Sequence, residues 1–306
     1  MLLTAPLRRR VLQVLSGQPT GVPEWTQELS RGTDPGYFAE GSAAWEVHRD
    51  IATLVAGPRA LLLQALHPGA MAGVHDHSRY REDPLGRLNG TIRWITTVTY
   101  GSRAQAEAAS TWVRRLHERV TGTYTTGDGR AVAYAAQDAD LVSWVHLAFT
   151  DSFLRAFERY AGRPVPGGSD AYVRDWAVAG ELMGVPDPPR SVRQLDERLT
   201  AIREAGVLRS DDRVREAVRF IRRPPLPALL KPTYPALFTG AVATLPPPTV
   251  ALLGLRPARP VQEAATRAVL ASTSRLLGEA AAPGQARIRL RALAGSGAAG
   301  RSGAAS

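Results

Sequence analysis

The stretch that decides the fold is SRAQAEAASTWVRRLHERVTG, residues 102–122. Ala109, Val113, Leu116, His117 and Val120 recur at helical spacing on one face, and Arg114, Arg115, Glu118 and Arg119 fall mostly on the other. Ser102 reads as the helix cap and Gly122 as its stop. The result is an amphipathic helix with one imidazole, His117, in its inward stripe. A buried imidazole needs a partner, because an unsatisfied polar group in a core is costly. A carbonyl, another side chain or iron would each serve.

Downstream, a helix is expected from Asp138 to about Tyr160. From Leu141 to Phe149 it is apolar almost all round, as a central buried helix should be. Its exceptions, Ser143, His146 and Thr150, share one face, and such a stripe lines a pocket or holds a polar network. Upstream, Trp45 to Leu66 reads as one helix with a bend at Gly57-Pro58, ended by His67-Pro68 because a residue before proline leaves helical geometry. Gly69 to Pro84 is polar and turn-rich, and carries His75 and His77. Leu85 to Tyr100 is the next helix, with Asp83 as cap and Pro84 in its first turn. On it Arg87, Thr91, Trp94 and Val98 share a face.

Further helices are expected over 169–183, 191–205, 211–222 and 261–282, with a proline-broken stretch between the last two. Residues 125–130 form a loop around Gly127-Asp128-Gly129. Strand-like alternation is almost absent and no repeat of fixed period is present, so the class is all-α. Residues 1–36 read as a short helix and loop, 37–283 as the helical body, and 284–306 as a basic, then Gly-Ser-Ala, disordered tail.

The chain has 306 residues, 44% hydrophobic and 22% charged, enough for a sizeable core. It contains no cysteine, which excludes disulfides, iron–sulfur clusters, thiolate-bound zinc or haem, and cysteine nucleophiles. Any metal must be held by His, carboxylate or Tyr. The net charge is +10, and Lys231 is the only lysine. The arginines are spread along the chain among Asp and Glu, which argues against nucleic acid as partner and admits weak contact with anionic membrane surfaces. The apolar run after Arg8, Arg9 and Arg10 is too short for a secretory signal. The longest uncharged run, Pro232 to Leu255, is too rich in proline to span a membrane, so a cytoplasmic location is expected.

No phosphate loop, dinucleotide fingerprint or nucleophile elbow is present. His75-Asp76-His77 could hold a non-haem metal or be surface turn chemistry. His117 and His146, each taken alone, read first as interior histidines bonded to backbone. Arg87 on the face of Trp94 and Val98 is unusual, because arginine is rarely buried without a partner.

Taken together, these segments resemble a known family. Arg59-Ala-Leu-Leu-Leu-Gln-Ala-Leu-His-Pro68, His77-Ser78, Asp83-Pro84-x-x-Arg87-x-x-x-Thr91, His117-x-x-Val-x-Gly122, Tyr134-x-Ala-x-Asp138 and Trp144-Val-His146 resemble the latex-clearing-protein (rubber oxygenase) catalytic domains. Trp45-x-Val-His48 also fits, and the likeness covers roughly residues 37–255. The family includes a fungal oxygenase of mycophenolic acid biosynthesis. The resemblance implies a globin-like helical core holding a b-type haem, with His117 as proximal iron ligand. It puts Arg87 and Thr91 beside the distal pocket as catalytic residues, and Arg87 and His146 with His117 around the cofactor. The substrates it implies are dioxygen and a small hydrophobic molecule, such as an isoprenoid-like chain. Rubber oxygenases carry a lysine beside the threonine where this chain has Gly90, so a lysine ligand is unavailable here. That departure, with the lack of an export signal, speaks against rubber itself. The alternatives are a haem-free helical binding protein of the same fold and a non-haem metal enzyme using His75 and His77.

Overall fold

The computed structural model describes residues 4–16, 18–78, 80–126 and 129–302. The Gly127-Asp128 part of the expected loop and the last four residues of the expected tail lie outside that set. Among the described residues the fold is fifteen α-helices and one two-stranded hairpin, so the class is all-α.

Helix α1 (Thr4–Ser16) and the short α2 (Glu24–Gln27) precede α3 (Ala43–Arg49) and α4 (Thr53–Ala65). One helix was expected across 45–66. It divides at Asp50, whose carboxylate accepts from the Ala52 amide at 2.9 Å, the local competition by which Asp interrupts helices. Within α4 the helix runs on through Gly57 and Pro58. Next comes α5 (Pro68–His77), where turns were expected. Pro68 sits at its start, and the His67 ring caps it by accepting from the Ala70 amide at 3.4 Å. Gly69, which suggests a turn, is there for close packing: a Cβ would meet Leu141 at 3.0 Å and Tyr124 at 3.2 Å.

Helix α6 (Pro84–Tyr100) is capped by Asp83 as expected, and α7 (Arg103–His117) by Ser102 in a full capping box with Gln105. Helix α7 ends at His117, five residues before Gly122. The chain then enters β1 (Thr121–Thr125), which pairs antiparallel with β2 (Ala131–Ala135), Gly122 opposite Tyr134. Gly122 is therefore a strand residue, and a Cβ there would press on the Tyr134 ring at 3.0 Å. Helix α8 (Ala139–Tyr160) is the buried central helix, followed by α9 (Ser169–Met183), α10 (Val192–Glu204) and α11 (Asp212–Arg222). The proline-rich stretch forms α12 (Tyr234–Ala243) and α13 (Pro247–Leu252), and α14 (Pro260–Leu277) packs on α12.

The core has two main clusters. One gathers Val47, Val55, Leu147, Phe157, Tyr172 and Trp176 from α3, α4, α8 and α9. The other joins Leu62, Trp144, Val218, Phe238 and Val250, so the proline-rich stretch packs against α4, α8 and α11. Arg59 of α4 is buried and meets Asp151 of α8 at 2.6 Å, with further bonds to Ser152 Oγ and the Thr244 carbonyl. This ion pair ties α4, α8 and α12 together through groups that are each satisfied by several partners.

The segment from 284 on was expected to be disordered. Instead α15 (Ala281–Ser302) docks on the N-terminal segment and on α6. Ala282 and Ala286 pack with Leu29, Trp45 and Tyr100, and the buried Arg289 donates to the Leu29 and Tyr100 carbonyls. A guanidinium in contact with the last carbonyls of α6 complements that helix end. No helix among the described residues is long and apolar enough to cross a membrane.

Candidate functional site

Antiparallel packing of α6 and α7 fixes which residues meet. Trp94 Nε1 donates to Ser110 Oγ at 3.0 Å, and counting outward from that pair sets Arg87 at the level of His117. Arg87 Nη1 donates to Thr91 Oγ1 at 2.7 Å, one turn along the same face. Arg87 retains open surface, yet enough protein surrounds its guanidinium that desolvation lowers its pKa. No carboxylate among the described residues pairs with it.

His117 ends α7 and is part-exposed. Its Nδ1 is buried and has no hydrogen-bond partner among the described residues. Desolvation, and then the Arg87 charge, hold its pKa below the usual imidazole range. At neutral pH the ring is therefore uncharged and keeps an electron pair to donate. On the adjoining face of α6, Leu88 is 40% and Ile92 44% exposed, although that face buries Ile95 and Thr99 further along. Sequence reasoning missed both. The available signal was their position, each one residue beyond Arg87 and Thr91.

His48 sits at the far end of that face. Its ring nitrogens meet Thr99 Oγ1 at 2.7 Å and Tyr172 OH at 3.0 Å, and its edges meet Phe153 and Trp176. Like Arg87 it keeps some accessible surface, yet desolvation pushes its pKa down to about 3. From Leu88 to Thr99 this face runs about 16 Å at the helical rise, and its exposed apolar half begins one residue beyond Arg87.

His146 has other neighbours. It is 6% exposed, its ring lies against Gly180 and Pro188, and Thr150 Oγ1 bonds its own backbone carbonyl at 2.7 Å. Burial, helped by Arg198, pushes its pKa down to about 4. The expected polar stripe of Ser143, His146 and Thr150 is thus spent largely on bonds within α8. His75 bonds its neighbour Asp76, and His77 Nε2 meets the Thr121 carbonyl at 2.9 Å, tying α5 to the hairpin. No three His, Asp or Glu side chains among the described residues converge as metal ligands.

Gly90 has open space around the position a Cβ would take, so nothing in the packing demands glycine there. The arrangement brings together one unpaired cation, one neutral imidazole with an unsatisfied nitrogen, one hydroxyl and a bare apolar wall. Such a set suits a large apolar group that carries an anionic edge and a centre accepting an electron pair.

No curated protein and no solved structure matches the chain, so a globin-like arrangement of these helices rests on the resemblance alone. The sequence profile described as "ER-bound oxygenase mpaB/B'/Rubber oxygenase, catalytic domain" matches residues 45–276. That span runs from Trp45 of α3 into α14, taking in most of both core clusters together with Arg87, Thr91, His117 and His146, and it places the chain in the family of mpaB and rubber oxygenase catalytic domains.

Proposed function

We propose that the protein is a b-type haem-dependent oxygenase that uses dioxygen on a small hydrophobic substrate, with an isoprenoid-like chain as the leading candidate. The observation that carries the proposal is the unsatisfied nitrogen of His117 beside the unpaired Arg87. An orphaned buried imidazole nitrogen and an uncompensated, partly desolvated guanidinium are each costly, and both are accounted for by a bound metal complex with acidic side groups.

Haem would supply the redox-active iron at which dioxygen chemistry takes place. In this reading His117, kept neutral by burial and by the Arg87 charge, would hold the iron. Arg87 offers a fixed positive charge to an anionic oxygen, whether of a carboxylate side group or of the oxidant. Thr91 accepts from Arg87 and keeps its own proton free to donate. Leu88 and Ile92 exclude water and give the apolar substrate a surface. His146, neutral and buried, packs against Gly180 of α9.

The test is anaerobic reduction of the haem-reconstituted protein, followed by admission of oxygen with the spectrum recorded throughout. A Soret band that shifts on reduction, and again on oxygen, supports the reading. A folded protein that stays colourless after exposure to ample haem points to a helical binding protein instead.

A further inference from the structure

Trp112 stands apart from the protein's other tryptophans. It is 60% exposed, while Trp25, Trp45, Trp94, Trp144 and Trp176 are buried or half-buried. One turn further along α7 lies Leu116, 44% exposed. At about 100° per residue, both fall well away from Ala106 and Ser110, the residues α7 buries, so they form an outer ridge. The basic residues Arg115 and Arg119 lie beside them, and neither pairs with a carboxylate among the described residues, while Arg114 turns to the opposite side of α7. Between Ala108 and Val120 the only acidic residue is Glu118.

We propose that this ridge docks the protein on an anionic lipid bilayer. Tryptophan and leucine enter the boundary between headgroups and acyl chains, and the arginines meet lipid phosphates. Charge selects this occupant: an exposed aromatic and aliphatic pair ringed by unpaired cations complements a negatively charged, apolar-cored surface. Docking would bring α7, which ends at His117, close to the bilayer. If the oxygenase reading holds, a hydrophobic substrate could then reach the candidate site without crossing bulk water. Membrane binding itself does not depend on that reading, and a His117→Ala variant should bind vesicles as the wild type does.

The experiment is vesicle flotation with phosphatidylcholine alone and with phosphatidylcholine containing phosphatidylglycerol. Wild-type protein is expected to float with the mixed vesicles and much less with the neutral ones. Trp112→Ser with Leu116→Ser, and separately Arg115→Glu with Arg119→Glu, should each weaken binding by roughly tenfold or more. Brominated lipid should quench part of the wild-type tryptophan emission, and less of it in Trp112→Phe. All these side chains are exposed, so melting temperatures should be unchanged, and the arginine pair tests the surface even if the apolar pair fails to fold. Arg9→Glu with Arg10→Glu, on the basic helix α1, should leave binding intact. The proposal is overturned if wild-type protein does not float, if the α7 variants float as the wild type does, or if only the α1 variant loses binding. It is also overturned if the ridge proves to join two copies of the chain, seen as a dimer that the Trp112 and Leu116 changes dissolve.

Discussion

Replacing Asp151 by Asn should destabilise the protein more than replacing Arg59 by Met, although the two residues form one ion pair. The reason is an asymmetry in their neighbours. Arg59 is 1% exposed and has Asp151, at 2.6 Å, as its only acidic partner among the described residues. Asp151 has a second partner, Arg155, whose Nε lies 3.1 Å away. Removing the Asp151 charge therefore leaves a guanidinium buried without a counter-charge, a loss on the order of 3–5 kcal/mol. In Arg59→Met, Asp151 keeps Arg155 and the aliphatic replacement fills much of the space. What goes unmet is the bond to Ser152 Oγ at 2.9 Å and that to the half-buried Thr244 carbonyl at 3.1 Å. That loss is about 2–3 kcal/mol. The double variant Arg59→Met, Asp151→Leu removes both charges and should lie within about 2 kcal/mol of wild type. Urea unfolding at pH 7, followed by far-UV circular dichroism, gives all three values. If Arg59→Met is the more damaging, or if the double variant loses the sum of the two single losses, then this pair does not act as the joint between α4 and α8.

Acid should destabilise the fold before its carboxylates titrate. His48 and His146 are held neutral, with pKa values of about 3 and about 4 against an ordinary 6.5, so unfolding below pH 6.5 takes up protons. Stability should be at its full value above that pH and fall by about 1.4 kcal/mol per histidine for each pH unit below it; equal urea midpoints at pH 7 and pH 5 would contradict this. Gly180→Ala puts a Cβ 3.0 Å from both His146 and Pro188, and should cost about 1–3 kcal/mol in the same assay unless the loop carrying Pro188 gives way. Truncation after residue 280 removes Arg289 and uncovers Trp45 and Tyr100, and should lower the melting temperature by several degrees; an unchanged melting curve would mean that α15 contributes nothing to the fold.

Much of the fold was legible because its signals are local. Asp83-Pro84 and Ser102 mark helix starts through side-chain bonds to amides three residues on, and both caps are present. The misread segments depend on distant partners. In α5, Gly69 looks like a turn residue but is needed where Tyr124 and Leu141 come close. The hairpin has only five residues a strand, with Tyr124, Val132 and Tyr134 on its inner face and Thr and Ala on its outer one, too short a run to stand out, and its register sets Tyr134 over Gly122. In α15 an Ala, Gly and Arg composition reads as a tail until Arg289 is seen to reach three separate segments. The same division holds at the candidate site. The Arg87–Thr91 bond follows from helical spacing. The open surface of Leu88 and Ile92 and the closed surroundings of His146 follow only from how α6, α8 and α9 pack.

The central claim is that His117 grips the iron of a haem. Its most direct test is a titration of haem into purified wild-type, His117→Ala and His146→Ala proteins, monitored at the Soret band and checked by cofactor content after gel filtration. The account predicts one tightly held haem per wild-type chain, none retained by His117→Ala, and weaker but measurable retention by His146→Ala. Undiminished binding by His117→Ala, or complete loss confined to His146→Ala, would contradict it.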